Sequence, residues 1–323
     1  MPPRSDRRLA GLVALLLLLL GLAGCGGGSG DGGQLRLGYF PNITHGPALI
    51  GVQEGIFERD ITAMAVTPEK FATGTEAVAA MLSGSLDASY MGMGPVITTL
   101  SRAPGSLRVV AGVGEAGAVL VVRRGAGIRS VADLRGKRIG FPGFGNTQDL
   151  TLRIVLNQAG LSTDRSDPDV RLVRIRNADL QTAFERGALD AALPPEPWGA
   201  LLEQAGIADV LLPADRILGG RYPTTVLVVR SAFADANPEA VEQLLAANRR
   251  VVELARDPAR VADAFLAEVK SSTIDRQLLL RAIGTNVPTT EVDPEGTAAL
   301  LRAAEDAGYM DEPVALRDLL PAR

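Results

Sequence analysis

Beyond residue 33 the chain alternates short apolar runs with amphipathic stretches. Leu35-Arg36-Leu37-Gly38-Tyr39 has the alternation of a strand, and Pro47 to Glu54 predicts a helix with proline in its first turn. Ile61 to Val66 reads as a second strand, Thr73 to Leu82 as a helix, and Ala88-Ser89-Tyr90-Met91 as a short strand. Gly92-Met93-Gly94-Pro95 is a turn entering another helix, followed by β-rich runs at Leu107 to Val113 and Ala118 to Arg123.

The alternation then begins again. Ser130-Val131-Ala132-Asp133 predicts a short capped helix. Strands are expected at Arg138 to Phe141, Val170 to Ile175, Asp190 to Leu193 and Asp209 to Leu212, with helices up to Ala159, over Ala178 to Arg186 and beyond Pro197. The return Gly219-Gly220-Arg221-Tyr222-Pro223 leads to an apolar strand, Thr225 to Val229, that rejoins the first part. From Asn237-Pro238 the remainder reads as helical. Strand–helix alternation predicts an α/β fold with a largely parallel sheet. The expected division is a first lobe over 34–123, a second over 124–221, and a return with C-terminal helices over 222–323. Ser83-Gly84-Ser85-Leu86-Asp87-Ala88 is echoed by Arg186-Gly187-Ala188-Leu189-Asp190-Ala191: each ends a helix at glycine and starts a strand after aspartate. Two similar halves facing across a cleft would produce that echo.

The N-terminus changes the picture. Arg4, Arg7 and Arg8 precede an apolar run from Leu9 to Leu22, the pattern of a secretory signal rather than a membrane span. Leu22-Ala23-Gly24-Cys25 resembles a bacterial lipobox, which implies cleavage of 1–24 and lipidation of Cys25. Acyl chains there would anchor the chain to the bilayer, with 25–33 as a flexible glycine tether. Cys25 is the one cysteine in the sequence, so no internal disulfide is expected. The formal net charge of −4 becomes more negative once the basic leader leaves. A mildly acidic body argues against nucleic acid, and about 300 residues suit two lobes.

The stretch with most chemistry is Phe141-Pro142-Gly143-Phe144-Gly145-Asn146-Thr147-Gln148-Asp149. Its glycines permit a tight turn and close approach to a guest. Asn146 or Thr147 caps the helix that follows, and a free helix front attracts sulfonate, phosphate or carboxylate.

Taken in order, Leu35 to Asn42, the Gly84/Asp87 and Gly187/Asp190 turns, Val131 to Lys137, Gly145 to Asp149 and Pro195-Glu196-Pro197-Trp198 resemble the solute-binding lipoproteins of ABC importers for nitrate, sulfonate, taurine and related anions. The resemblance runs from about Leu35 to Val229. It implies a periplasmic-binding-protein-like (type II) α/β fold, two lobes with mixed sheets joined by two crossovers. It also implies delivery of a captured small anion to an ABC permease driven by its ATPase, from an exported, lipid-anchored monomer with no cofactor.

Four loops are then expected at the cleft, beyond the carboxyl ends of strands. In the first, Asn42 and Thr44 offer neutral hydrogen bonds, and His45 is either a donor or an ordinary packed residue. In the second, Gly92 and Gly94 bring backbone amides to a helix start and Met93 forms an apolar wall. In the third, Phe144 floors the pocket while Gly145, Asn146, Thr147 and Gln148 cradle the anion. In the fourth, Trp198 stacks on the ligand or wedges the hinge. Glu196 either pairs with a cation such as Arg221 or Arg123 or meets an amine on the ligand. Tyr222 is a further wall. With Arg221 the only neighbouring cation, a singly charged sulfonate or nitrate suits these loops better than phosphate. The same fold hosts binders of thiamine-pyrimidine-type precursors and enzymes of pyrimidine or quinone biosynthesis. No nucleophile–base pair and no metal-ligand spacing stands in these loops, so a binder is expected.

Overall fold

Residues 33–164, 166–270 and 274–321 are described by a computed structural model. The signal-like leader, Cys25 and nearly all of the glycine tether lie outside the described residues. The first part of the chain runs β1 (Gln34–Tyr39), α1 (Gly46–Gln53), α2 (Ile56–Asp60), β2 (Ala65–Lys70), α3 (Gly74–Ser83), β3 (Ala88–Met91), α4 (Met93–Arg102) and β4 (Leu107–Ala116). Next come β5 (Leu120–Arg123), β6 (Arg138–Phe141), α5 (Thr147–Gln158), β7 (Arg171–Arg174), α6 (Leu180–Glu185), β8 (Ala191–Ala192), α7 (Trp198–Gln204) and β9 (Ala208–Leu212). The last part holds β10 (Pro223–Arg230), α8 (Ser231–Ala236), α9 (Pro238–Leu254), α10 (Pro258–Val269), α11 (Arg276–Ile283), β11 (Asn286–Pro288) and α12 (Pro294–Asp306).

These strands form two sheets, ordered β11-β4-β10-β3-β1-β2 and β7-β6-β8-β5-β9. β1 pairs with β3, and β6 with both β7 and β8, in parallel. The strands that come from the other lobe, β10 and β5, run antiparallel to their neighbours. Both sheets are therefore mixed, not largely parallel. The parallel strands end at the junction of the lobes, so a strand entering from that junction must run the opposite way. β5 lies in the second sheet, which puts the first crossover near Gly117, several residues before the boundary at 123 that the hydrophobic pattern suggested.

The expected strand Ile61 to Val66 is displaced. Ile61 instead closes α2 as its C-cap, 1% exposed, and β2 begins at Ala65. β2 carries Pro68 and no fully buried residue, as befits the sheet edge it forms, where a missing N–H costs no ladder bond.

The alternation along β10 settles the packing of the first sheet. Leu227 and Val229 join one apolar cluster with Leu37, Ile50 and Phe57, while Val226 and Val228 join another with Met91, Ile97 and Leu300. The sheet is thus covered on both faces. The second lobe has its own cluster around Val121, Ile139, Leu156, Phe184 and Tyr222.

The Gly–Asp echo corresponds to one device built twice. Asp87 accepts from the backbone N–H and the guanidinium of Arg36 on β1, and from Arg230 at the end of β10. Asp190 accepts from the backbone N–H and guanidinium of Arg138 on β6, with Arg123 of β5 at 3.6 Å. In each lobe one carboxylate ties the first parallel strand to the antiparallel strand arriving from the other lobe.

Candidate functional site

Asn42 caps the 3₁₀ turn Ile43–His45, its carboxamide oxygen accepting from the Thr44 N–H at 3.0 Å. The turn folds inward. Thr44 and His45 are 2% and 4% exposed, and the Thr44 carbonyl accepts from the Thr225 hydroxyl at 2.9 Å. The His45 ring stands edge-on to Phe40, 4.7 Å between centroids. Burial pushes its pKa down to about 3, so the imidazole is neutral, and Nδ1 has no hydrogen-bond partner. His45 is a packed residue rather than a cation facing an anion.

The second and third loops meet head-on. Gly92 caps α4 with no side chain, and the Gly94 N–H donates to the Thr147 hydroxyl at 3.1 Å. A Cβ on Gly94 would lie 2.6 Å from Asn146 C and Thr147 N, and one on Gly92 would lie 2.5 Å from Thr147 Oγ1. Met93 is fully buried in the first lobe. At the front of α5, Asn146 Oδ1 accepts from the Asp149 N–H, and Asp149 Oδ2 accepts from the Gly145 N–H, both at 2.8 Å. The expectation of outward-pointing amides at this front is corrected: Thr147 is 2% exposed and pressed against α4. Gln148 is half-buried. Phe144 does not floor a pocket; it is 51% exposed and edge-on to Phe141 at 4.9 Å.

In the fourth loop Glu196 is 4% exposed and serves as the N-terminal acceptor of α7, taking the Ala200 N–H at 2.9 Å. Neither anticipated cation reaches it: Arg221 pairs with Asp293 and Arg123 lies beside Asp190. Burial pushes the carboxyl up to about 7, with Glu203 adding repulsion. Trp198 is half-buried against the second lobe's core, which fits the wedge reading. Tyr222 is 1% exposed, and burial raises its pKa.

Glu196 has a measurable consequence. Its folded pKa, about 7, exceeds the ordinary 4.5, so between those values the unfolded chain releases a proton that the fold retains. Its contribution therefore falls as pH rises through that window, by at most about 3 kcal/mol. Glu196→Gln keeps an acceptor for Ala200 and removes the titration. Urea unfolding should find the variant gaining on the parent chain from pH 5 to pH 8; parallel profiles would contradict the assignment.

The first and fourth loops meet at the first crossover, where the sequence offered no candidate. Ala116 and Gly117 both have positive φ, 57° and 86°. A Cβ on Gly117 would lie 2.9 Å from Thr44 Cγ2 and 3.1 Å from Asn286, and the Gly117 carbonyl accepts from the Glu196 N–H at 2.8 Å. Thr224 and Asn286 donate to the carbonyl of Ala116. Thr225 was hidden at the head of a strand pattern, Thr224 fell between that run and the return before it, and Asn286 lay inside a helical tail. The left-handed pair Ala116-Gly117 was the one local signal, and alanine disguised it.

α5 is shared between the lobes. Leu152, Val155 and Leu156 belong to the second lobe's core, whereas Leu150 is fully buried among first-lobe residues and Ile154 packs beside it. Two concavities, about 420 Å³ beside β11 and about 190 Å³ between α5 and α12, are lined by no residue of the four loops. Among the described residues no group of three or more His, Cys, Asp or Glu is placed to hold a metal. No helix among them is long and apolar enough to cross a membrane.

Comparison with known proteins agrees with this architecture. A Brucella abortus protein named only as a binding protein is 29% identical over 233 residues, 70% of this chain and 67% of its own length. An Escherichia coli protein named for binding aliphatic sulfonates is 27% identical over 246 residues, 74% of this chain and 73% of its own. Among solved structures, the alkanesulfonate-binding protein SsuA from Xanthomonas axonopodis pv. citri, bound to MOPS, superposes with a TM-score of 0.76 at 22% identity, covering 89% of this chain and 97% of that one. The nitrate-binding protein NrtA from Synechocystis superposes with a TM-score of 0.72 at 14% identity, covering 86% and 82%. These likenesses establish a periplasmic-binding-protein-like fold. The profile of the NMT1-like family matches residues 29–267, and the chain belongs to that family.

Proposed function

We propose that this protein captures a small solute carrying one singly charged anionic group, an aliphatic sulfonate, taurine or nitrate, between its lobes and delivers it to the permease of an ABC importer. One observation carries the reading: the fronts of α4 and α5, from opposite lobes, face each other, and the α4 front already holds an oxygen, Thr147 Oγ1, on the Gly94 amide. An anionic oxygen would enter that place while the lobes are parted and be held there once they close on it, favoured by both helix dipoles. The relatives named for sulfonate and nitrate binding support the choice of solute.

Charge accounting narrows the solute further. The four loops contain no Lys or Arg, His45 is neutral, and Arg221 is engaged with Asp293. Two helix fronts balance about one negative charge, and phosphate at neutral pH carries more. The body would be held at the outer face of the cell membrane by acyl chains on Cys25, within reach of the permease. Binding without conversion is part of this reading, supported by a His45 that is buried with Nδ1 unpartnered and by Glu196, which caps α7. Trp198 fluorescence should shift and saturate with methanesulfonate, taurine or nitrate. A response to phosphate or phosphonate alone would overturn the assignment.

A further inference from the structure

One turn beyond its front, α5 presents Arg153 to the first lobe. The guanidinium donates to Asp149 Oδ1 at 3.0 Å, to the Thr163 carbonyl at 2.9 Å and to the Tyr309 hydroxyl at 2.8 Å, and lies 5.2 Å from the centre of the Tyr309 ring. Its side chain is 4% exposed and that of Asp149 is 0% exposed. Asp149 in turn holds the Gly145 N–H, inside the glycine turn that leads into α5. Tyr309 follows α12 and packs in the first lobe's cluster with Val96, Ile97 and Leu300.

We propose that Arg153 is a positioning residue: through Asp149 it sets the Gly143–Gly145 turn, and through Tyr309 it makes that setting depend on the two lobes being together. The proposal rests on the capture reading above for its purpose, not for its geometry. A guanidinium has a rigid planar fork, so its three acceptors fix one orientation only when all are in place. Parting the lobes withdraws Tyr309 and wets one side of a buried ion pair. Asp149 then loses the orientation of its arginine, and its grip on Gly145 loosens. The turn that faces the solute is thereby coupled to a contact on the opposite lobe that never touches it. A bare ammonium could not hold the three acceptors in that plane.

Hydrogen exchange on the full chain, with no solute added, tests this. Tyr309→Phe keeps the ring against the guanidinium and removes only the hydroxyl. Amides 145–150 should exchange about tenfold faster, as for the loss of one charge-assisted hydrogen bond, while those of β4 and α9 keep their parent rates. Arg153→Lys should reproduce the pattern more strongly. Unchanged exchange at 145–150, or equal acceleration throughout the chain, would overturn the proposal. With methanesulfonate as probe, Tyr309→Phe should raise the dissociation rate about tenfold and leave association nearly unchanged. Slower association with unaltered dissociation would also overturn it. If none of the panel solutes binds, the capture reading fails, and the exchange experiment still decides the role of Arg153.

Discussion

Replacing Gly94 with alanine should weaken solute binding roughly tenfold to a hundredfold while each lobe keeps its fold. Alanine is the better helix former, so α4 itself loses nothing. The cost arises across the junction, where the new Cβ would sit 2.6 Å from Asn146 C and Thr147 N and 2.7 Å from Gly145 O. All three are backbone atoms, and no side-chain rotation relieves the clash. Overpacking of this kind costs about 1–3 kcal/mol, charged here to the closed arrangement alone. Calorimetry of binding beside thermal unfolding checks both halves of the statement. A variant that binds normally would mean the two fronts need not approach this closely.

Asp87→Ala should cost more, about 3–5 kcal/mol of stability, because it removes the carboxylate shared by Arg36 and Arg230. That is a large part of the margin of an ordinary domain. The Asp87 side chain is 2% exposed and that of Asp190 13%, so Asp190→Ala should cost less. Arg36 and Arg230 bring the Asp87 pKa below its ordinary value against the opposing effect of burial. Hydrogen bonding from Arg138 takes Asp190 from 3.8 to about 2. For both, the folded pKa lies below the unfolded one. Their contribution is thus complete above the ordinary carboxylate value and fades as pH falls below it, for Asp190 through about 2. Urea midpoints at pH 7 and pH 3 should show the variant's deficit shrinking in acid; a deficit independent of pH would refute the role given to this carboxylate.

How much of this was readable from residues alone differs by element. β3 falls on Ala88–Met91 and β6 on Arg138–Phe141 as the pattern predicts, since both are short apolar runs bounded by turn residues. The Gly–Asp echo was readable because the same clamp recurs in both lobes. Strand direction was not, because nothing in Thr225 to Val229 records the end of the sheet from which it enters. The run Ile61 to Val66 imitated a strand because Ile61 is buried as the close of a helix. At the site, composition marked the glycines of both fronts but not their mutual contact. The missing Cβ of Gly94 has meaning only once α5 lies against it. Glu196 was singled out correctly as awkward, and the remedy, a backbone amide of its own helix, lay four residues away.

Isothermal titration of the full chain with methanesulfonate, taurine, nitrate and phosphate, followed by recovery of the solute, tests the central claim most directly. The account predicts saturable one-to-one binding of at least one singly charged anion, recovered chemically unchanged, and little or no heat from phosphate. Binding of phosphate alone, no binding of any anion, or a solute recovered in altered form would contradict it.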